Sequence, residues 1–67
     1  EGDGLSFYRI IADEGYRYLN PEGAIVLEIG FDQGEKVVQI FEETGHYRKA
    51  EYFKDYSEND RIAVAYI

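Results

Sequence analysis

Two short segments of this chain are apolar at nearly every position: Ala24-Ile25-Val26-Leu27-Glu28-Ile29 and Ile62-Ala63-Val64-Ala65-Tyr66-Ile67. Both are brief and built largely from branched or small residues, which favours strand over helix. A run like the first, interrupted only by Glu28, is expected to be covered on both faces, the usual situation in a parallel sheet. With 67 residues, the chain can bury only one thin core, so the two segments are expected to be neighbours within it. There is no Cys and a single His, so neither a disulfide nor an ordinary zinc site supplements that core. Hydrophobic residues at 45% and aromatic residues at 16% are enough to drive collapse rather than disorder.

Around these strands the periodicity changes. Leu5, Tyr8, Ile11, Ala12, Tyr16 and Leu19 recur at steps of three and four, with Arg9, Asp13, Glu14 and Arg17 mostly off that stripe. This predicts an amphipathic helix. Asp3 is placed to cap its start. Asn20-Pro21-Glu22-Gly23 ends it, because Pro21 disfavours a helical conformation at Asn20. A second helix is predicted from Val37, Ile40, Phe41 and Thr44, with Glu35, Lys36, Gln39, Glu42 and Glu43 outside, Asp32 as its cap and Gly45 as its C-terminal stop. Tyr47 to Lys54 carries Tyr47, Ala50, Tyr52 and Phe53 among charges and reads as a strand with a wet face. Asp55-Tyr56-Ser57-Glu58-Asn59-Asp60 is a turn cluster, and so short a connection requires an antiparallel hairpin.

The order is therefore α-β-α-β-β, an α/β arrangement with a right-handed strand–helix–strand crossover. The two apolar strands take neighbouring positions and the charged strand takes an edge. The spatial order is then first, third, second, with the third strand antiparallel to the others.

Charge narrows the functional classes. Fourteen acidic against seven basic side chains give a net charge of −7, which argues against nucleic acid or an anionic membrane as a partner. No apolar run approaches the ~18 residues of a spanning helix. Absence of Cys fits a reducing, cytoplasmic compartment.

Few residues are suggestive chemically. Glu28 sits at the carboxyl end of a strand, where open α/β sheets bind ligands; the alternative is a structural carboxylate bonded to a helix N-terminus or to water. Gly30-Phe31-Asp32-Gln33-Gly34 precedes a helix but lacks the glycine spacing of a dinucleotide loop and the Lys-Ser/Thr of a P-loop. Asp32 and Glu35 would repel a phosphate there. His46 stands alone and suits a surface or strand-leading position better than a metal site. Ser6 and Ser57 lie at element ends, and no nucleophile–base pair can be assembled from them. The seven tyrosines are expected in the core or half-buried. Glu42, Glu43, Asp55, Glu58 and Asp60 are expected to form a solvated face.

Four segments, in order, carry a family resemblance. Glu1-Gly2-Asp3-Gly4-Leu5-Ser6-Phe7-Tyr8 resembles the "G-x-D-G-L-x-F-Y" stretch of the HemK family, the protein-(glutamine-N5) methyltransferases that modify peptide chain release factors. Leu19-Asn20-Pro21-Glu22-Gly23 is similar to its "L-x-P-x-G" turn, and Leu27 through Glu35 to its "L-E-I-G-x-x-Q-G-E" segment. Lys54-Asp55-Tyr56 with Asn59-Asp60-Arg61 resembles its closing hairpin. The resemblance implies a class I S-adenosylmethionine-dependent methyltransferase, a Rossmann-like fold. This chain would be the C-terminal part of it, a three-stranded mixed sheet with two helices.

The family's Gly-rich cofactor loop, its ribose-binding acidic residue and its Asn-Pro-Pro-Tyr motif have no counterpart here. No catalytic, cofactor-binding or metal residue is therefore carried over, and Glu28 and Phe31 remain as substrate-side candidates. The complete enzyme would use S-adenosylmethionine and act on a release factor; this chain alone would bind no cofactor and be inactive. Both helices would lie on one face of the sheet, leaving the other face and the outer edge of the first strand bare, so self-association is expected. The missing initiator Met fits a shortened or processed chain. The alternatives are a stand-alone acidic interaction module, or a piece of an enzyme that methylates a ribosomal-protein glutamine.

Overall fold

Val37 and Phe41, one helical turn apart, are the largest fully buried side chains, and the rest of the chain assembles around them. The computed structural model describes residues 4–19 and 21–67. Its elements are α1 (Ser6–Glu14), a 3₁₀ turn (Gly15–Tyr18), β1 (Ala24–Glu28), α2 (Gly34–Thr44), β2 (Lys49–Lys54) and β3 (Asp60–Tyr66). The sheet order is β1-β3-β2, the arrangement expected from burial. Leu5, Ala12, Ile29, Val37, Phe41, Ala63 and Ala65 form the buried cluster, flanked by Tyr8, Ile11, Ile25, Leu27, Ile40, Tyr47, Ala50 and Tyr52. The Cα envelope is only 16 Å in its thinnest direction, room for a helix layer on one face of the sheet and nothing on the other. No helix among the described residues is long and apolar enough to cross a membrane.

The second helix follows its sequence pattern. Val37 and Phe41 are buried, Ile40 and Thr44 half-buried, and Glu35, Lys36, Gln39, Glu42 and Glu43 exposed. Gly45 closes it in the left-handed region at φ 76°, where a residue without Cβ is unstrained.

The first helix keeps its stripe but stops early. A single helix through Leu19 is expected from the periodicity, whereas α-geometry ends at Glu14. The reason comes from elsewhere in the chain. The Tyr47 hydroxyl donates to the Ala12 carbonyl at 2.9 Å, and the Tyr16 backbone amide turns to the Tyr47 hydroxyl oxygen instead of that carbonyl. A side chain inserted between an i carbonyl and its i+4 amide breaks the helical ladder, and Gly15 weakens the helix at that point. Burial pushes the Tyr47 hydroxyl pKa up. The expected cap Asp3 and stop residue Asn20 lie outside the described residues.

Two further expectations are corrected. The sheet is not the mixed one that the resemblance implies: β3 lies between β1 and β2 and runs against each, as the strand order predicts, so every ladder among the described residues is antiparallel. No parallel pair forms within these residues. Nor is β1 covered on both faces, because Ala24, Val26 and Glu28 are exposed while Ile25 and Leu27 point to the core. The register extends that outer face across the sheet in three rows: Ala24–Tyr66–Lys49, Val26–Val64–Glu51 and Glu28–Ile62–Phe53. One end is polar, where the Tyr66 hydroxyl donates to Glu51 Oε2 at 2.8 Å and Lys49 lies 3.5 Å from Glu51 Oε1. Toward the other end apolar side chains stand beside exposed Glu28, with Val26 64% and Phe53 49% exposed. The tyrosines divide as well: Tyr8, Tyr47 and Tyr52 pack on the core, but Tyr18 and Tyr56 are exposed.

Gly34 opens α2 directly against the Tyr52 ring, and a Cβ at that position would overlap the ring carbons. Gly34→Ala should therefore destabilise the fold by about 1–3 kcal/mol, the usual cost of overpacking, although Ala is the better helix former. Urea unfolding checks this. The loss should shrink when Tyr52 is replaced by Leu in the same background.

Candidate functional site

β1 and β2 run the same way, so the carboxyl ends of both lie at one end of the sheet, together with the start of β3. There the Gly30–Gln33 loop and the Asp55–Asn59 turn meet: the Asp60 amide donates to the Phe31 carbonyl at 2.9 Å.

The loop after β1 is closed twice. First, Gly30 and Gln33 exchange bonds: the Gly30 amide donates to Gln33 Oε1 at 2.8 Å, and the Gln33 amide donates to the Gly30 carbonyl at 3.1 Å. Second, Asp60 bonds in both directions. Its amide holds Phe31, while its Oδ2 accepts the Gly34 amide at 2.8 Å, one of the orphan donors at the start of α2. This corrects the expected cap. Asp32 is exposed, the N-cap residue is Gln33, and no side chain of that residue caps the helix. The capping carboxylate instead comes from β3.

Asp60 also leaves the expected solvated face, being half-buried, and so does Asp55. Asp55 organises the hairpin turn: its Oδ1 accepts the Ser57 amide at 2.8 Å and the Asn59 amide at 3.0 Å, and its Oδ2 pairs with Arg61 at 3.0 Å. Glu58 adopts φ 67° within that turn. Gln33 and Asp60 were not among the sequence candidates. The available signal was their place in the two family-like segments around Leu27–Glu35 and Asn59–Arg61. Gly4, in the first such segment, lies beside them, with Gln33 Nε2 at 3.6 Å from where its Cβ would stand.

The two sequence candidates stand at this end. Glu28 is exposed, and its carbonyl accepts the Tyr8 hydroxyl at 3.0 Å. In the same row across the sheet come Ile62 and Phe53. Phe31 is 69% exposed. The surface thus offers a carboxylate and aromatic side chains on a held backbone, and it can contact and orient a polar substrate beside an apolar one. It does not offer an anion cradle, because the Gly30 and Gly34 amides are already bonded within the protein.

No group of three His, Cys, Asp or Glu among the described residues can hold a metal ion. His46 is exposed and stacks on Tyr16, ring centroids 3.8 Å apart. A groove of about 320 Å³ lies between α1 and α2, lined by Leu5, Arg9, Lys36, Gln39, Ile40 and Glu43. Its mixed charges and open shape give it no evident chemistry.

Comparison with known proteins is informative at the level of sequence. The chain is 48% identical over 64 residues to a bifunctional methyltransferase of Rickettsia felis, covering 96% of this chain and 12% of that protein. It is 44% identical over 62 residues to a release factor glutamine methyltransferase of Aquifex aeolicus, covering 92% of this chain and 21% of that protein. To the protein of the same description in Haemophilus influenzae it is 39% identical over 64 residues, covering 96% of this chain and 22% of that protein. The chain thus spans less than a quarter of the length of these relatives. No family model matches it, and no solved structure matches it.

The turn facing this surface carries a pH dependence. The backbone amides of Asn59 and Ser57 hold the Asp55 carboxyl below its ordinary value, and Arg61 acts in the same direction. The folded-state pKa is depressed, so the stabilisation is complete above the ordinary aspartate value near 3.8 and is lost as pH falls through the lower folded-state value. Urea midpoints should be level near neutrality and fall below about pH 4. Asp55→Asn should lower the neutral midpoint and make the acid limb shallower. Parallel acid limbs for the two proteins would show that Asp55 is not responsible.

Proposed function

Because this chain belongs to the HemK family of release factor glutamine methyltransferases, we propose that it is the C-terminal portion of such an enzyme's catalytic domain. The complete enzyme methylates the side-chain amide nitrogen of a glutamine in a peptide chain release factor. The carrying observation is identity along almost the whole chain, together with the meeting of three family-like segments at the Gly30–Gly34 loop. The relatives whose names specify a substrate act on release factors, which favours that substrate over a ribosomal-protein glutamine. A cytoplasmic setting fits a chain without Cys.

S-adenosylmethionine would supply the methyl group in the complete enzyme. In this reading other parts of the enzyme hold the donor, because the glycine amides at the β1 loop are bonded internally and leave no free backbone donors there for its carboxylate. An amide nitrogen is a poor nucleophile, so rate depends on orientation and exclusion of water. In that scheme α1, α2 and the sheet are scaffold, and Glu28 and Phe31 form one wall beside the substrate glutamine. The bare edge of β1 and the apolar side chains of the outer face are surfaces that the complete enzyme covers and the isolated chain does not.

Expression of the complete reading frame containing this chain should give donor-dependent methylation of a release factor glutamine, seen by mass spectrometry. The chain alone should neither bind S-adenosylmethionine in calorimetry nor turn over; methylation by the chain unaided overturns the reading. In the complete enzyme, Glu28→Gln should lower kcat without changing Tm, and unchanged kinetics would remove Glu28 from the site. Light scattering on the isolated chain should show association that grows with concentration, whereas a persistent monomer contradicts the bare-face argument.

A further inference from the structure

Four backbone-directed hydrogen bonds converge on the five residues Gly30 to Gly34, and none of them serves the core. Two join Gly30 and Gln33, at 2.8 and 3.1 Å. Two more involve Asp60: its Oδ2 accepts the Gly34 amide at 2.8 Å, and its own amide donates to the Phe31 carbonyl at 2.9 Å. A further bond, from the Val37 amide to the Gln33 carbonyl at 2.9 Å, ties the loop to the first turn of α2. Gly30 has no side chain to keep the Gln33 amide away, since a Cβ there would lie 2.8 Å from Gln33 Oε1.

The loop so fixed projects Phe31 into solvent, 69% exposed. Phe31 stands outside the buried cluster and the residues flanking it, so the loop presents the ring rather than anchoring it. Holding such a residue rigidly lowers the ordering entropy lost when a partner contacts it.

We propose that Gln33 and Asp60 are positioning residues that hold the loop so that Phe31 meets the protein substrate beside the reacting glutamine. This rests on the methyltransferase reading above and extends it to a specificity role for residues that do not themselves touch substrate. Asp60 acts from β3, so the closing hairpin sets the loop geometry at the end of β1.

The test is steady-state kinetics of the full-length enzyme with a release factor as substrate. Phe31→Ala should raise the KM for the release factor about tenfold, the effect of truncating an aromatic contact, and leave the KM for S-adenosylmethionine unchanged. Gln33→Ala and Asp60→Ala should shift the same KM in the same direction. Combined with Phe31→Ala, each should add less than about twofold, because all three act through one contact. Asp60→Asn keeps a carbonyl acceptor and should recover most of the loss. It also carries the test if Asp60→Ala does not fold. An unaltered release-factor KM in Phe31→Ala overturns the proposal. So do additive effects of the double variants, or losses that affect both substrates and Tm alike, which mark a merely structural role. An inactive full-length wild type instead overturns the methyltransferase reading, and the positioning role with it.

Discussion

The arrangement depends on β3 lying between β1 and β2. That strand is paired along both edges, from Glu28 to Ala24 on one side and from Lys54 to Lys49 on the other. Its core-facing residues, Ala63 and Ala65, are small, which lets α2 approach closely enough to seat Val37 and Phe41 against the sheet. The opposite side chains, Ile62, Val64 and Tyr66, are larger and only half-buried. A strand with this asymmetry packs helices on one face and leaves the other for something else. The uncovered rows and the single helix layer both follow from it.

The placement of β3 also brings Asp60 to the site. The first residue of β3 lies opposite the region where β1 ends and α2 begins. Its amide and carboxylate are therefore available to both, and the loop needs no local cap. Gln33 and Asp60 are bonded to the loop backbone, while Phe31 faces outward near the exposed Glu28 and Asp32.

Much of the fold was legible because it depends on local spacing and on burial. The steps Val37, Ile40, Phe41 and Thr44, followed by Gly45, specify α2 without reference to the rest of the chain. The contrast between Ile62–Ile67 and the charged Lys49–Lys54 places the strands. The parts that escaped depend on contacts distant in sequence. Tyr47 ends α1 from 35 residues away, and no helical periodicity carries that information. Asp60 replaces Asp32 as the cap of α2 from 26 residues away, although Asp32 has the better local position. Two-face burial of β1 failed for a different reason, since it needs neighbours these residues do not provide. The candidate site was legible only as far as Glu28 and Phe31, the residues that project outward. The residues holding them, Gln33 and Asp60, resemble ordinary loop and turn residues until the backbone is in place.

The central strand is also the last of the three to appear in the sequence. On a ribosome, β1 and α2 would emerge well before β3, whereas β2 precedes it by only a short turn. Within this chain neither β1 nor β2 has a strand partner until residues 60–66 are made. The sheet then forms in one late step, with a large share of its contacts between residues far apart in the chain, a topology that slows folding. In the interval the edge of Ala24–Glu28 that β3 pairs with remains open to chaperones and to other nascent chains.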